Sequence, residues 1–441
     1  MTVHSPPPSR RPGVAERWRP TAAHLRAAAV AVACLTIAVL ARRPDLVVIG
    51  LPFALITAWS TWARPATTPT LTDRLGHTTL REGDATTWRA DVIAPGAEHV
   101  AAYMAPEPWV DMRPRQGTTT VMIGDEAAQL TMQVRSVRWG RRTLDPVRLT
   151  ASSPFGAFES SMSTAHTLLA TLPVPAAFDA NAPMRVRAGL VGLARSSQVG
   201  DGGEFSSLRP FAVGDRMRRI NWPRSLRTDA LQVNATWADQ DTHIAIIVDA
   251  SDDFGRSGGI DGVASSLDTT VRAIGAIAEH HIRRGDRVSV RSFGTVRQLA
   301  IPPGSGHAHL RRILDALTRV RPGNDALTAR RPVTRAVPVT GAALTVMLSP
   351  LVTRDALDRA IEIGRHGLPI VVIDTLPREI VTDGDAYTRL AWRIRLLDRR
   401  REIRRAGQTG IPVVQWQGPG SLDQFLRDAA RRAAAPRMRT G

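Results

Sequence analysis

Residues 243–253 read His243-Ile244-Ala245-Ile246-Ile247-Val248-Asp249-Ala250-Ser251-Asp252-Asp253, an apolar-rich run that stops abruptly on an acidic, hydroxyl-bearing turn. A run that is apolar at successive positions predicts a strand covered on both faces, as in a parallel sheet flanked by helices. The sequence downstream keeps the same rhythm. Helical spacing over 263–281, 309–320, 353–365, 387–405 and 422–434 alternates with strand-like stretches at 287–293, 343–348, 369–373 and 412–416. Such alternation predicts parallel βαβ units, so residues 241–435 are expected to form a doubly wound, Rossmann-like α/β domain.

Towards the N-terminus the pattern changes. Residues 185–240 are dense in Arg, Gly and Asp, show no sustained period, and read as a surface loop system. Over 70–175 short β-favouring stretches, among them 86–92, 118–123 and 129–137, are separated by Gly, Pro and Asp, which predicts an antiparallel, sandwich-like module without a catalytic centre. Residues 65–69 have the Thr, Ala and Pro content of an exposed linker.

Further upstream, 27–41 carries no charge, and with 22–26 the run approaches the roughly 20 residues that a bilayer core requires. A second apolar run covers 46–63, and only Arg42, Arg43, Pro44 and Asp45 lie between them. So short a turn allows only an antiparallel helical hairpin over 22–63, with both ends on one side. Arg10, Arg11, Arg17 and Arg19 of the basic tail 1–20, together with Arg64, outweigh the two arginines of the turn. The positive-inside tendency then predicts a multi-pass protein of a bacterial inner membrane with cytoplasmic soluble domains. A cleaved signal peptide is disfavoured by the second run, and a soluble hairpin by the lack of a polar face.

The chain has 441 residues, of which 43% are hydrophobic, enough for two or three domains with cores of their own. Every one of its 58 basic residues is arginine, a bias typical of high-GC bacterial coding. The net charge of +18 suits a nucleic acid or anionic lipid, but coding bias and membrane apposition account for it more simply. Cys34 is the single cysteine, which excludes an intrachain disulfide and a thiolate metal site.

Two constellations carry functional information. Asp249, Ser251 and Asp253 resemble the Asp-x-Ser-x-Ser start of the metal-ion-dependent adhesion site of von Willebrand A domains. That resemblance implies a von Willebrand A-like sheet and a hard cation such as Mg²⁺ held by oxygen ligands. Asp253 stands in place of the second Ser, and Ser349-Pro350 stands where the distal Asp is expected, so no cofactor is certain. In the alternative reading Asp249 and Ser251 only cap the following turn and helix.

The second constellation runs Glu204-Phe205, Leu208-Arg209, Gly214-Asp215, Arg218, Ile220, Trp222, Ser225 and Arg227, with Arg138-Trp139-Gly140-Arg141 and Pro154-Phe155-Gly156-Ala157-Phe158 upstream. This succession resembles the domain-of-unknown-function family DUF58 over roughly residues 70–375. Val213, Ser153 and the Pro223-to-Leu226 segment depart from the family pattern. Members are commonly encoded beside MoxR-type AAA ATPases, so the resemblance implies an adaptor working with such an ATPase. From the residues alone, Gly214-Asp215 suits a tight turn, and Arg209, Arg218 and Arg227 are fork donors for Glu204 and Asp215. They predict either an internal salt-bridge network with Trp222 as its apolar anchor or a binding surface.

An enzyme finds little support. The chain has no His-Glu-x-x-His, Gly-x-Ser-x-Gly or phosphate-loop motif, and adjacent His280 and His281 diverge by about 100° on a helix. A metal-assisted hydrolase and a basic surface for nucleic acid or anionic lipid remain the alternatives. Arg393, Arg395, Arg399, Arg400, Arg401, Arg404 and Arg405, interrupted by Asp398 and Glu402, read more naturally as a solvated or lipid-facing helix. The sequence therefore predicts a membrane-anchored, non-enzymatic scaffold.

Overall fold

A computed structural model describes residues 11–123, 127–175, 199–212, 217, 220–228, 230–237, 243–294, 298–323, 344–366, 368–378, 380 and 385–417, with the backbone alone at 199–207 and 235–237. The chain divides into two compact units: Met1–Val174 with Gly258–Val263 and Leu317–Arg319, and Pro175–Ser257 with Ala264–Ala316 and Val320–Gly441. The class is mixed α/β.

The first unit begins with three short strands, β1 (Arg11–Pro12), β2 (Val14–Ala15) and β3 (Arg19–Pro20), followed by helices α1 (Ala22–Leu40) and α2 (Asp45–Trp62). Then come β4 (Thr70–Leu75), β5 (Thr79–Arg81), β6 (Ala85–Ile93), β7 (His99–Tyr103), β8 (Val110–Arg113), β9 (Thr118–Met122), β10 (Ala127–Ser136), β11 (Gly140–Leu144), β12 (Arg148–Ser152), β13 (Phe158–Ser163) and β14 (Thr167–Leu172). One sheet is ordered β1-β4-β6-β10-β8, a second β2-β13-β12-β7-β9, and a small third β11-β14-β5. Alternation explains the layering: Thr86, Trp88, Ala90 and Val92 of β6 are buried while their neighbours are not. One apolar cluster joins Leu71, Trp88, Val92 and Leu130 of the first sheet to Val100, Leu149, Phe158 and Met162 of the second.

Residues 11–20, the described part of the stretch expected to be a basic tail, belong to this module. Strand β1 pairs with β4, and β2 and β3 pair with β13. Trp18 is buried and its indole Nε1 donates to the Thr67 carbonyl at 2.8 Å. Arginines and prolines with no apolar period hid the pairing, which rests on backbone groups and a single large side chain.

Both flanks of the helix pair are therefore fixed to the same module. Thr21 Oγ1 accepts from His24 N at 3.2 Å, capping α1, and donates to the Gly156 carbonyl at 2.7 Å. Beyond α2, Arg64 donates to the Trp18 carbonyl at 3.5 Å. The helices themselves are bare: the apolar windows of α1 and α2 are only 11% and 17% buried. They meet closely where Gly50 faces Cys34, since a Cβ on Gly50 would stand 2.8 Å from the cysteine's. A helix in the core of a soluble fold would hide its apolar face. By length and composition these two are long and apolar enough to cross a membrane.

The second unit contains β15 (Val199–Pro210), α3 (Trp222–Thr228), β16 (Gln232–Trp237), β17 (His243–Asp249), α4 (Ser266–Arg283), β18 (Arg287–Phe293), β19 (Ala300–Gly304), α5 (Gly306–Leu317), β20 (Leu344–Ser349), α6 (Arg354–Arg365), β21 (Ile370–Asp374), α7 (Ala386–Gln408) and β22 (Val413–Gln415). Six strands form a sheet ordered β19-β18-β17-β20-β21-β22. Strands β18, β17, β20, β21 and β22 are successively parallel, whereas β19 runs antiparallel at the edge. Edge strand β19 was not expected, because Pro302 and Pro303 erase a strand signal; an edge tolerates them, having no second ladder to supply. Residues 199–237, read as loops, hold an antiparallel β15–β16 ribbon instead. Its register shifts between Gly200 and Phe205 and again before Ser207, which breaks the alternation a sequence reading depends on. The helix expected over 422–434 lies outside the described residues.

Candidate functional site

In the parallel register, Val248 pairs with Leu348, and Ser349 pairs with Asp374. The strands point the same way, so Asp249, Ser349 and Asp374 come together at the carboxyl edge of the sheet, where α/β folds place ligands. Asp249 is 3% exposed. Its Oδ1 accepts from Ser251 N at 3.1 Å and from Ser251 Oγ at 2.7 Å, and its Oδ2 accepts from Ser349 Oγ at 2.6 Å. Ser349 Oγ in turn accepts from Leu351 N at 2.9 Å. Burial pushes the Asp249 carboxyl above its ordinary range, against the opposing pull of the Ser349 and Ser251 hydrogen bonds.

Ser251 sits in a close-fitting turn. Gly294, at φ 73° just past β18, would carry a Cβ 2.0 Å from Ser251 Oγ, so only glycine fits there. Asp253 serves another end: its Oδ1 accepts from Leu267 N at 3.0 Å and Ser266 Oγ at 3.4 Å, at the start of α4. Ser265 and Asp268 form a capping box on the same turn. Asp249 and Ser251 thus close the turn after β17, while the helix is capped by residues further on.

These donors do not suit a divalent cation. Such an ion needs several oxygens with free lone pairs. Here the Asp249 oxygens already receive two hydroxyls and an amide, an Asp253 oxygen receives a helix amide, and the distal position is a serine. Among the described residues no group of three or more His, Cys, Asp or Glu is arranged to hold a metal ion.

The neighbouring carboxylate is neutralised by arginine. Burial raises the Asp374 carboxyl while the guanidinium of Arg399 opposes the rise, and the two form an ion pair. Arg399 Nε also donates to the Pro350 carbonyl at 2.9 Å, and Arg395 Nε to that of Val352 at 2.6 Å. Glu402 joins Arg395 at 2.8 Å and Arg354 at 3.0 Å. Two arginines of α7 therefore clip the loop after β20 rather than forming a solvated face. Beside them a groove of about 880 Å³ is lined by Arg378, Arg389, Trp392, Arg393 and Arg400, along with apolar side chains. Trp392 stacks on Phe254 with ring centroids 5.7 Å apart.

The signature residues have mixed fates. Ile220 bridges to Val233, and Asn221, which the sequence reading passed over, organises the ribbon. Asn221 Oδ1 accepts from Arg224 N at 3.1 Å to cap α3, and its Nδ2 donates to Asn234 Oδ1 at 3.0 Å. Ser225 is buried, and its Oγ accepts from Gln232 N at 2.9 Å. Trp222 is no apolar anchor: as the first residue of α3 it is 58% exposed, whereas Val233 of β16 is buried. Leu208 and Arg227 are exposed, and Arg209 donates to the Pro210 carbonyl at 3.2 Å. Gly214, Asp215 and Arg218, with the side chains of Glu204 and Phe205, lie outside the described residues, and with them the expected salt-bridge network.

Residues 207–406 match the family model described as "Protein of unknown function DUF58". The DUF58 match begins inside β15 and ends in α7, so it takes in Asp249, Ser349, Asp374 and Arg399; Glu204, Phe205, Arg138–Arg141 and Pro154–Phe158 fall before it. The comparison with curated proteins finds no match. Among solved structures, the chain is similar to the crystal structure of the cupredoxin domain of amoB from Nitrosocaldus yellowstonii, at 8% identity over 22% of this chain and 82% of that one, with a TM-score of 0.17. A score that low carries no argument about fold or function.

Proposed function

We propose that this protein is a membrane-anchored, non-enzymatic adaptor at a bacterial inner membrane, its soluble units cytoplasmic. Helices α1 and α2 are its anchor, and its α/β unit, read as von Willebrand A-like, docks a protein partner. The strand order and the Asp249-x-Ser251 turn after β17 support that reading of the fold. The single observation that carries the functional reading is the state of the sheet's carboxyl edge. Asp249 is closed off by two serines and Asp374 by Arg399, and among the described residues neither serine hydroxyl meets a histidine. Polar groups so fully engaged with one another hold loops in place: both serine hydroxyls are turned onto the buried Asp249 carboxyl, which supports a structural reading of this edge.

The arginine-lined groove next to that edge suits an acidic segment of a protein, because guanidinium forks pair with carboxylates and Trp392 offers an apolar platform. The DUF58 resemblance supplies the class of partner, a MoxR-type AAA ATPase, and the role, assembly or maturation of a protein complex. Immobilised full-length protein in mild detergent should capture such an ATPase in the presence of nucleotide, and less of it as salt rises. Empty resin at low salt with nucleotide present would overturn the adaptor reading.

A further inference from the structure

We propose that the turn Pro154–Phe155–Gly156 of the β module is a third membrane contact, with the Phe155 ring entering the lipid–water interface beside the helix pair. This rests on the reading of α1 and α2 as bilayer spans. Phe155 lies in the left-handed region at φ 60°, ψ 12°, a conformation natural for its neighbour Gly156 and strained for a benzyl side chain. The residue is nevertheless 66% exposed, so side-chain packing does not hold it there. The backbone does. Phe158 N donates to Ser153 Oγ at 2.9 Å, Ser153 N to the Phe158 carbonyl at 2.9 Å, and Gly156 N to the Ser153 carbonyl at 2.9 Å.

The same turn is tied to the root of the hairpin. Thr21, which caps α1, donates through Oγ1 to the Gly156 carbonyl at 2.7 Å and through N to the Ala157 carbonyl at 2.9 Å. Phe158 stands 5.1 Å from the His24 ring and 5.4 Å from the Arg64 guanidinium. The turn therefore stands level with the first turn of α1 and the last turn of α2. At that level α2 exposes Trp59 and Trp62, with ring centroids 5.4 Å apart, and charge-free sequence begins on α1 just past Arg26. Aromatic rings flanked by arginine at the boundary of an apolar segment form the belt that anchors membrane proteins at the headgroup level. A phospholipid interface covers a side chain that the described residues leave exposed, on a turn whose backbone bonds hold it in that position.

The test uses the full-length chain in phospholipid vesicles carrying a lipid with a diazirine near the glycerol end of one acyl chain, with adducts mapped by peptide mass spectrometry. Adducts are expected on α1, α2 and the Phe155 peptide, but not on Met122 or Tyr103, exposed side chains of the same module. Phe155→Gly should lower the yield at the turn several-fold and leave the helices labelled as before. Labelled helices with an unlabelled turn, or a turn whose labelling ignores Phe155→Gly, would overturn this inference and leave the anchor standing. Unlabelled helices would remove the anchor and the inference together.

Discussion

Asp249 carries a buried carboxyl whose charged form is disfavoured by desolvation and defended by Ser349 and Ser251. Its folded-state pKa is raised, so the stability it contributes is complete below the ordinary carboxylate range and is lost as pH rises through the folded-state value. Ionising the buried carboxyl therefore costs stability. Asp249→Asn keeps the shape and the acceptor for Ser251, so its melting temperature at pH 7 should equal or exceed that of the parent chain. The difference should vanish in acid, and Mg²⁺ should move neither protein. Stabilisation by Mg²⁺ that the variant lacks would instead mean that the carboxylate holds a cation; a loss of about 2 kcal/mol or more at pH 7 without any Mg²⁺ effect would mean that the Ser349 hydrogen bond outweighs the cost of burial. The sequence made Asp249 and Ser251 legible through their spacing after an apolar run, but it read Ser349 only as a missing aspartate. In the fold that serine is a donor to Asp249, a relation between residues a hundred positions apart that no local pattern encodes. Arg399 was hidden for a similar reason. A buried clamp on Asp374 and a solvated arginine look alike in a helix that carries seven other arginines.

At the scale of elements, the strands that sequence reading located have either a continuous apolar run buried on both faces, as in β17, β20 and β21, or a run of β-favouring residues between turn signals, as in β6, β9 and β10. Those it missed lack such a run: β19 contains two prolines, the β15–β16 ribbon is bulged and glycine-rich, and β1 to β3 are two residues each. The exit from β18 shows how closely two elements depend on one another. Gly294→Ala would force a left-handed backbone on a residue with a Cβ and drive that carbon into Ser251. A destabilisation of about 2 kcal/mol or more is expected in denaturant unfolding, from the strained backbone and the overpacking together. A change below about 0.5 kcal/mol would show that the turn after β17 is looser than its hydrogen bonds imply.

For the whole molecule, the chain enters the β module, leaves it for the helical hairpin, and returns to it. Thr21 and Arg64 are both fastened to the module, and Trp18 buries itself against Thr67 across the hairpin's two ends. Replacing residues 22–63 with a short flexible linker should therefore yield a folded, water-soluble protein. Deleting residues 1–63 outright should cost about 3 kcal/mol or more, since β1 to β3 and a buried tryptophan go with it. Thermal unfolding of the two variants side by side separates these outcomes. On the proposed reading of α1 and α2 as an anchor, the same geometry sets its orientation: both ends of the hairpin are on the module, so the Arg42–Asp45 turn is the part that crosses. The most direct measurement is thiol labelling in a Cys34→Ala background, with Arg42→Cys and Thr67→Cys probed by a membrane-impermeant reagent on intact spheroplasts and on inverted vesicles. A membrane-spanning hairpin predicts that position 42 reacts only in spheroplasts and position 67 only in inverted vesicles; both positions reacting from the same side would contradict it.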